Sequence, residues 1–190
     1  MKQIKDIKNK LKWEKYYDPT FNWGSDEAYI SEDFSIEFIE EFKDKINWAC
    51  LSCAENLSED IICKFANKVH WSIIFHYQKL SEDFIRKEKD FISPMNWTYI
   101  FEYQKLSEDF IREVKDKVNW LAISKYQKLS EDFIREFKDK VNWHYISLCQ
   151  NLSEDFIREF QDKVVWSQIA YHYDKFSYKF KKEFEDKLLI

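Results

Sequence analysis

One block of sequence recurs along this chain, and the recurrence limits the fold more than any other feature. Leu129 opens LSEDFIREFKDKVNWHYISLCQN, Leu106 opens LSEDFIREVKDKVNWLAISKYQK and Leu152 opens LSEDFIREFQDKVVW. The three leucines lie 23 residues apart, as do Trp120, Trp143 and Trp166. A period of this length marks a solenoid: each copy is too small to bury its own apolar side and leans on its neighbours. Further copies begin at Leu80 and Leu57. The Leu80 copy carries three extra residues around Ser93-Pro94, and a longer copy from Ile30 carries four extra before Trp48. Phe176 opens a closing half-copy, FSYKFKKEFEDKLLI. Residues 1–29 read as a divergent entry or capping segment, in which Trp13 and Phe21-Asn22-Trp23 resemble worn copies of the KDKVNW end. The organisation is therefore an entry segment followed by a repeat region over 30–190, with copies from about 30, 57, 80, 106, 129 and 152 and a half-copy from 176.

Each copy reads as two helices. In the Leu129 copy, Ser130 is a good N-cap, and Glu131 and Asp132 sit in the first turn, where the helix dipole favours acids. Leu129, Phe133, Ile134, Phe137 and Val141 recur at helical spacing and form one apolar stripe. The opposite face offers Glu131 with Arg135, Arg135 with Asp139, and Glu136 with Lys140, each four apart. Asn142 then marks a turn and caps a second helix bearing Trp143 and Ile146. The expected lengths are about three turns and about two. Helices this short are marginal alone, so the repeated Trp, Phe and Tyr positions are expected to be core between copies. Gly occurs once and Pro twice, which leaves little material for β-turns. The fold class expected is all-α, an α-solenoid of stacked 23-residue two-helix repeats.

The phrase LSEDFIREFKDKVNWxxISxYQK, nearly complete from Leu106 to Lys128, resembles a short tandem repeat abundant in proteins of giant DNA viruses that infect amoebae. The resemblance covers residues 30–190. It implies a viral protein acting in the host cell, and it implies no catalytic residue.

Charge excludes some roles. Lysines and arginines number 30 against 35 acids, mixed along the chain, so the basic footprint of a nucleic-acid binder is missing. A helical repeat that reads bases one per copy stays open as the alternative function. No apolar run reaches membrane-spanning length, and MKQIKDIKNKLKWEK lacks the apolar stretch of a secretory signal. A cytoplasmic location is expected, in the host cell if the protein is viral.

Candidate chemistry is sparse. Cys50 and Cys53 form a CxxC, but inside a second helix, where a redox motif does not belong. Cys50, Cys53, Cys63 and His70 have a spacing conceivable for zinc, yet no other copy repeats it, and Cys63 merely replaces the motif's Arg. Cys50, Cys53, Cys63 and Cys149 are expected to be free thiols packed as small apolar groups. His70, His76, His144 and His172 occupy different repeat positions, and none is paired in sequence with a nucleophile. The Glu-Asp pairs recur at helix starts, so capping explains them. A single glycine, Gly24, rules out a phosphate-binding loop. No enzymatic role, cofactor or metal is expected; among all segments, only residues 1–29 are irregular enough to build a unique site.

Differences between copies carry more information. The first helix is nearly identical throughout, whereas the second varies at the first, second and fifth residues after its tryptophan. These are Ala49, Cys50, Cys53; Ser72, Ile73, His76; Thr98, Tyr99, Glu102; Leu121, Ala122, Lys125; His144, Tyr145, Leu148; and Ser167, Gln168, Tyr171. Stacking aligns such positions into one surface. The expectation is recognition of a protein partner, host or viral, through Tyr99, Glu102, Lys125, His144, Tyr145, Leu148, Gln168 and Tyr171, against the alternative of drift after duplication. A second expectation concerns Phe184, Leu188, Leu189 and Ile190. They either cap the stack or join two chains in a homodimer.

Overall fold

The computed structural model describes residues 36–44, 46–54 and 57–188. The entry segment 1–29, the opening of the first copy at Ile30, and Leu189 and Ile190 lie outside the described residues. Among those described there are fourteen α-helices and no strand. The fold is an all-α repeat solenoid. The chain divides into two compact bodies between Tyr99 and Ile100.

The N-terminal body holds α1 (Ile36–Phe42), α2 (Trp48–Ser52), α3 (Glu59–Lys64), α4 (Trp71–Tyr77) and α5 (Glu82–Glu88). Helix α6 (Pro94–Tyr103) contains the division. The C-terminal body continues with α7 (Glu108–Glu113), α8 (Trp120–Tyr126), α9 (Glu131–Glu136), α10 (Trp143–Cys149), α11 (Glu154–Glu159) and α12 (Trp166–Ala170). A 3-10 turn (Tyr173–Lys175), α13 (Tyr178–Glu183) and α14 (Glu185–Leu188) follow. Second helices pack on second helices: α2 on α4, α8 on α10, and α10 on α12, with α14 taking the next place against α12.

The serine caps form as the sequence predicts. Ser130 Oγ accepts the Phe133 N–H at 3.1 Å, and Ser58, Ser81, Ser107, Ser153 and Ser177 do the same in their copies. Asn142 caps α10 by accepting the Tyr145 N–H at 3.2 Å, as Asn47 and Asn119 cap α2 and α8.

The first helix is shorter than its apolar stripe. Helix α9 has six residues, under two turns, rather than the three turns expected. Phe137 leaves helical geometry, and a tight turn closes on its carbonyl, which accepts from Lys140 at 2.8 Å and Val141 at 3.0 Å. That turn preserves the spacing that buries Phe137 and Val141, so the stripe outlasts the helix. The expected pairs change accordingly. Glu131 does approach Arg135, at 3.6 Å. Arg135 does not turn to Asp139, nor Glu136 to Lys140. Instead each charge reaches along the stack: Arg135 meets Glu159 at 2.8 Å, Arg112 meets Glu136 at 2.8 Å, and Lys163 meets Asp139 at 3.1 Å.

The tryptophans lie between copies, as stacking requires. Trp143 packs on Phe156 and Phe160 of the following copy, with centroids 6.3 and 5.1 Å away. The Arg135 guanidinium also lies over the Phe156 ring, at 5.0 Å. Phe133, Ile134 and Ile146 are wholly buried and fill the interior of the copy.

A buried polar ladder runs beside this core. Gln127 accepts the Leu106 N–H at 3.1 Å and donates to the carbonyls of Phe101 at 2.7 Å and Gln104 at 2.8 Å. Gln150 repeats this on Leu129, Ser124 and Gln127, and Gln78 on Leu57, Ser52 and Ala54. Each glutamine thus satisfies the backbone of the loop that joins the preceding copy's second helix to its own copy's first helix, which would otherwise be stranded in the interior. Buried serines add a second rung: Ser124 Oγ accepts the Asn142 N–H at 2.9 Å, and Ser147 Oγ the Val165 N–H at 2.9 Å.

The closing half-copy buries Phe180, Phe184 and Leu188 inward and leaves Tyr178, Lys179 and Lys182 exposed. Leu188 is therefore occupied within its own chain.

Candidate functional site

The variable positions of the second helices give the strongest candidate surface, and helix geometry sorts them. At 3.6 residues per turn, the first and fifth residues after the tryptophan lie about 40° apart, roughly opposite the buried isoleucine at the third. His144 and Tyr171 are exposed, and Lys125 and Leu148 are half-buried. The second position turns toward the flank. Cys50 and Ala122 there are buried, and Tyr99, Tyr145 and Gln168 are half-buried. The variable positions thus differ in exposure, the second being the most enclosed of the three.

Within the C-terminal body these residues form a connected strip on α8, α10 and α12. Lys125 donates to the Tyr126 hydroxyl at 2.8 Å and sits 5.5 Å from the Tyr145 ring centroid of the next copy. The Tyr126 hydroxyl, and more weakly the charge of Glu102, raise the Lys125 pKa and keep the ammonium charged. His144 meets Tyr145 edge-on at 5.2 Å. The His172 ring nitrogen Nε2 lies 2.9 Å from the Leu148 carbonyl. Gln168 reaches Ser167 at 3.5 Å, and Tyr171, 77 % exposed, stands free at the end of the strip. Tyr99 lies on α6 in the N-terminal body and Glu102 in the C-terminal body.

A further set of surface residues went unread in the sequence. The tyrosine at the sixth residue after the tryptophan was expected in the core. Tyr77, Tyr103 and Tyr126 are instead between 41 % and 54 % exposed. The sixth residue falls about 60° from the third, nearer the buried arc than the second residue that is buried at Cys50 and Ala122, so helical angle alone carries no signal of this exposure.

The remaining candidates do not assemble into chemistry. Among the described residues no three His, Cys, Asp or Glu side chains are grouped to hold a metal, so Cys50, Cys53, Cys63 and His70 are not brought together as ligands. Burial pushes the Cys50 thiol up to about 12 and raises Cys53 as well, which suppresses the thiolate that redox or nucleophilic work needs. The four cysteines are free thiols, though Cys149 is exposed rather than packed. The Glu-Asp pairs do more than cap. Glu131 accepts the Ser153 N–H of the next copy at 2.6 Å, and Glu154 accepts both the N–H and the hydroxyl of Ser177, at 2.6 and 3.1 Å. The aspartates hold the arginines, as Asp132 holds Arg135 at 2.8 Å. Among the described residues no helix is long and apolar enough to cross a membrane. Comparison with protein-family models, with curated proteins and with solved structures finds no match.

Proposed function

We propose that this protein is a non-enzymatic binding or scaffolding protein, holding a protein partner along the second-helix strip of its C-terminal body. One observation carries the reading. The first-helix charges of the last three copies, which scarcely differ, reach one another: Arg112, Arg135 and Arg158 each grip an acid of the following copy. The strip on α8, α10 and α12 carries the side chains that differ, and several of them face solvent. Aromatic and cationic groups such as Tyr145, Tyr171 and Lys125 are the kinds that anchor protein interfaces. The resemblance to giant-virus repeats directs the search to the cytoplasm of an infected amoeba, with a host or viral protein as the partner.

The test compares three full-length forms in quantitative affinity capture from infected amoebae. They are the natural chain, a strip variant (Tyr145→Ser, Leu148→Ser, Tyr171→Ser) and a first-helix-side variant (Lys115→Ser, Lys138→Ser). All three are expected to melt alike, and only the strip variant is expected to lose its specific interactors. Identical interactor sets for all three would refute the assignment.

A further inference from the structure

The ring that closes over the second-helix tryptophan is replaced at two copies, by Val114 after Trp97 and by Glu88 after Trp71, and only the second exchange brings in a charge. In four copies the second-helix tryptophan is covered by a ring from the following first helix. The pairs are Trp48 with Phe65 at 5.3 Å, Trp120 with Phe137 at 4.8 Å, Trp143 with Phe160 at 5.1 Å, and Trp166 with Phe184 at 4.8 Å. In three of these a lysine of the same chain also stands over the indole: Lys68, Lys140 and Lys187, at 5.8, 5.6 and 4.9 Å. Trp71 keeps the outer of these ring contacts, Phe84 at 6.3 Å, but the residues corresponding to the nearer ring and the lysine are Glu88 and Phe91.

The exchange leaves a hole. A cavity of about 210 Å³ opens beside Trp71, lined by Phe75, Glu88, Phe91, Ile92 and Asn96. Phe75 stacks on Trp71 at 5.5 Å, and Phe91 is 88 % exposed at the rim. The Glu88 carboxylate makes no ion pair among the described residues. Three aromatic rings and an uncommitted carboxylate now surround the place where the sister copies put their own phenyl ring and ammonium.

We infer that this cavity binds a methylated lysine side chain of a partner protein. Aromatic faces attract a cation, and Glu88 supplies the matching negative charge. Size and solvation favour the methylated form. About 150 Å³ of apolar cavity accommodates a benzene ring, so a bare ammonium would leave much of this space empty. It would also surrender its strong hydration to a wall with few acceptors. Methyl groups fill the volume and spread the charge over the rings. This site lies in the N-terminal body, apart from the strip on α8, α10 and α12, and does not depend on it.

The test is titration of the full chain with N-acetyl-Nε-trimethyllysine methylamide, followed through the indole N–H of Trp71, which donates to the Ala66 carbonyl at 3.0 Å. A saturable shift of that signal is expected. Unmodified lysine and the neutral tert-butyl isostere are expected to bind roughly tenfold more weakly or less. Glu88→Phe restores the residue type of the sister copies, fills the cavity and should abolish the shift in a well-folded protein. Glu88→Gln keeps the shape and should weaken binding about as much as removing the ligand's charge. The inference is overturned by any of three results: no saturable shift, equal binding of the neutral isostere, or undiminished binding by Glu88→Phe.

Discussion

Replacing Gln127 by leucine tests whether the buried glutamine ladder holds the copies together. The side chain is 5 % exposed, and leucine preserves most of its volume. The change removes three hydrogen bonds, to Leu106, Phe101 and Gln104. Each contributes about 1 kcal/mol net, and each lost partner leaves a backbone group short of a bond in a loop largely closed to water. Burying leucine carbons returns part of this, on the order of 1 kcal/mol. A net loss of about 3 kcal/mol follows, equivalent to a fall in Tm of roughly 10 °C for a chain of this size. Native-state hydrogen exchange locates the effect. Protection of the Leu106 amide should fall by roughly a hundredfold, while the Leu129 amide, held by Gln150 at 3.0 Å, should lose far less. A variant within about 1 kcal/mol of the natural chain, or one in which both amides lose protection equally, would refute the reasoning.

Three more outcomes follow from single contacts. Asn142→Ala removes the cap on α10 and should cost about 1 kcal/mol in urea denaturation. Val165, equally extended but without a side-chain cap for α12, should gain a comparable amount as Val165→Asn. The Ser177 N–H, then its hydroxyl and Arg158, hold the Glu154 carboxyl below its ordinary 4.5. Its folded pKa is depressed, so its contribution is complete above that value and lost as pH falls through the lower folded one; Glu154→Gln should flatten the acid limb of a stability-versus-pH curve below 4.5. Thiol exchange at neutral pH should modify exposed Cys149 quickly and leave Cys50, whose thiol is pushed up to about 12, almost untouched in the folded chain.

The features legible in the sequence were those set by local chemistry. Ser130 and Asn142 cap because their side chains reach a backbone N–H three residues on, and that reach is encoded in spacing alone. The apolar stripe through Phe133, Ile134 and Phe137 likewise announced its burial. Features set by distance along the stack were illegible. Arg135 sits four residues from both Glu131 and Asp139 in sequence, yet it takes Glu159, 24 residues away. Spacing within one copy gives no hint of this, because the helix ends at Glu136 and its charges point at the neighbour. The glutamine after Tyr126 reads as a polar helix end, and only the folded loop between Phe101 and Leu106, where one copy passes into the next, shows why Gln127 is buried. The exposure of Tyr126 was illegible for another reason: a recurrent aromatic about 60° from the buried isoleucine reads as core, yet its ring is 41 % exposed.

The same contacts explain why copies change in pairs where they change at all. A first-helix residue has to match the copies on both sides of it, so a lone substitution breaks a junction. At the first described junction the signs are reversed: Glu40 occupies the arginine position and Lys64 the glutamate position, and they meet at 3.5 Å. At the next, both members are altered, to Cys63 and Lys87, and the pair is given up together. Exposed ion pairs of this kind contribute little, about 0.2–1 kcal/mol each, so their value lies in register: like charges placed opposite would oppose the correct offset between copies. The first and fifth residues after each tryptophan carry less of that double obligation. They are where the chain is free to acquire chemistry directed outward, and the Glu88 copy shows that even a core position can be released when its neighbour Phe91 changes with it.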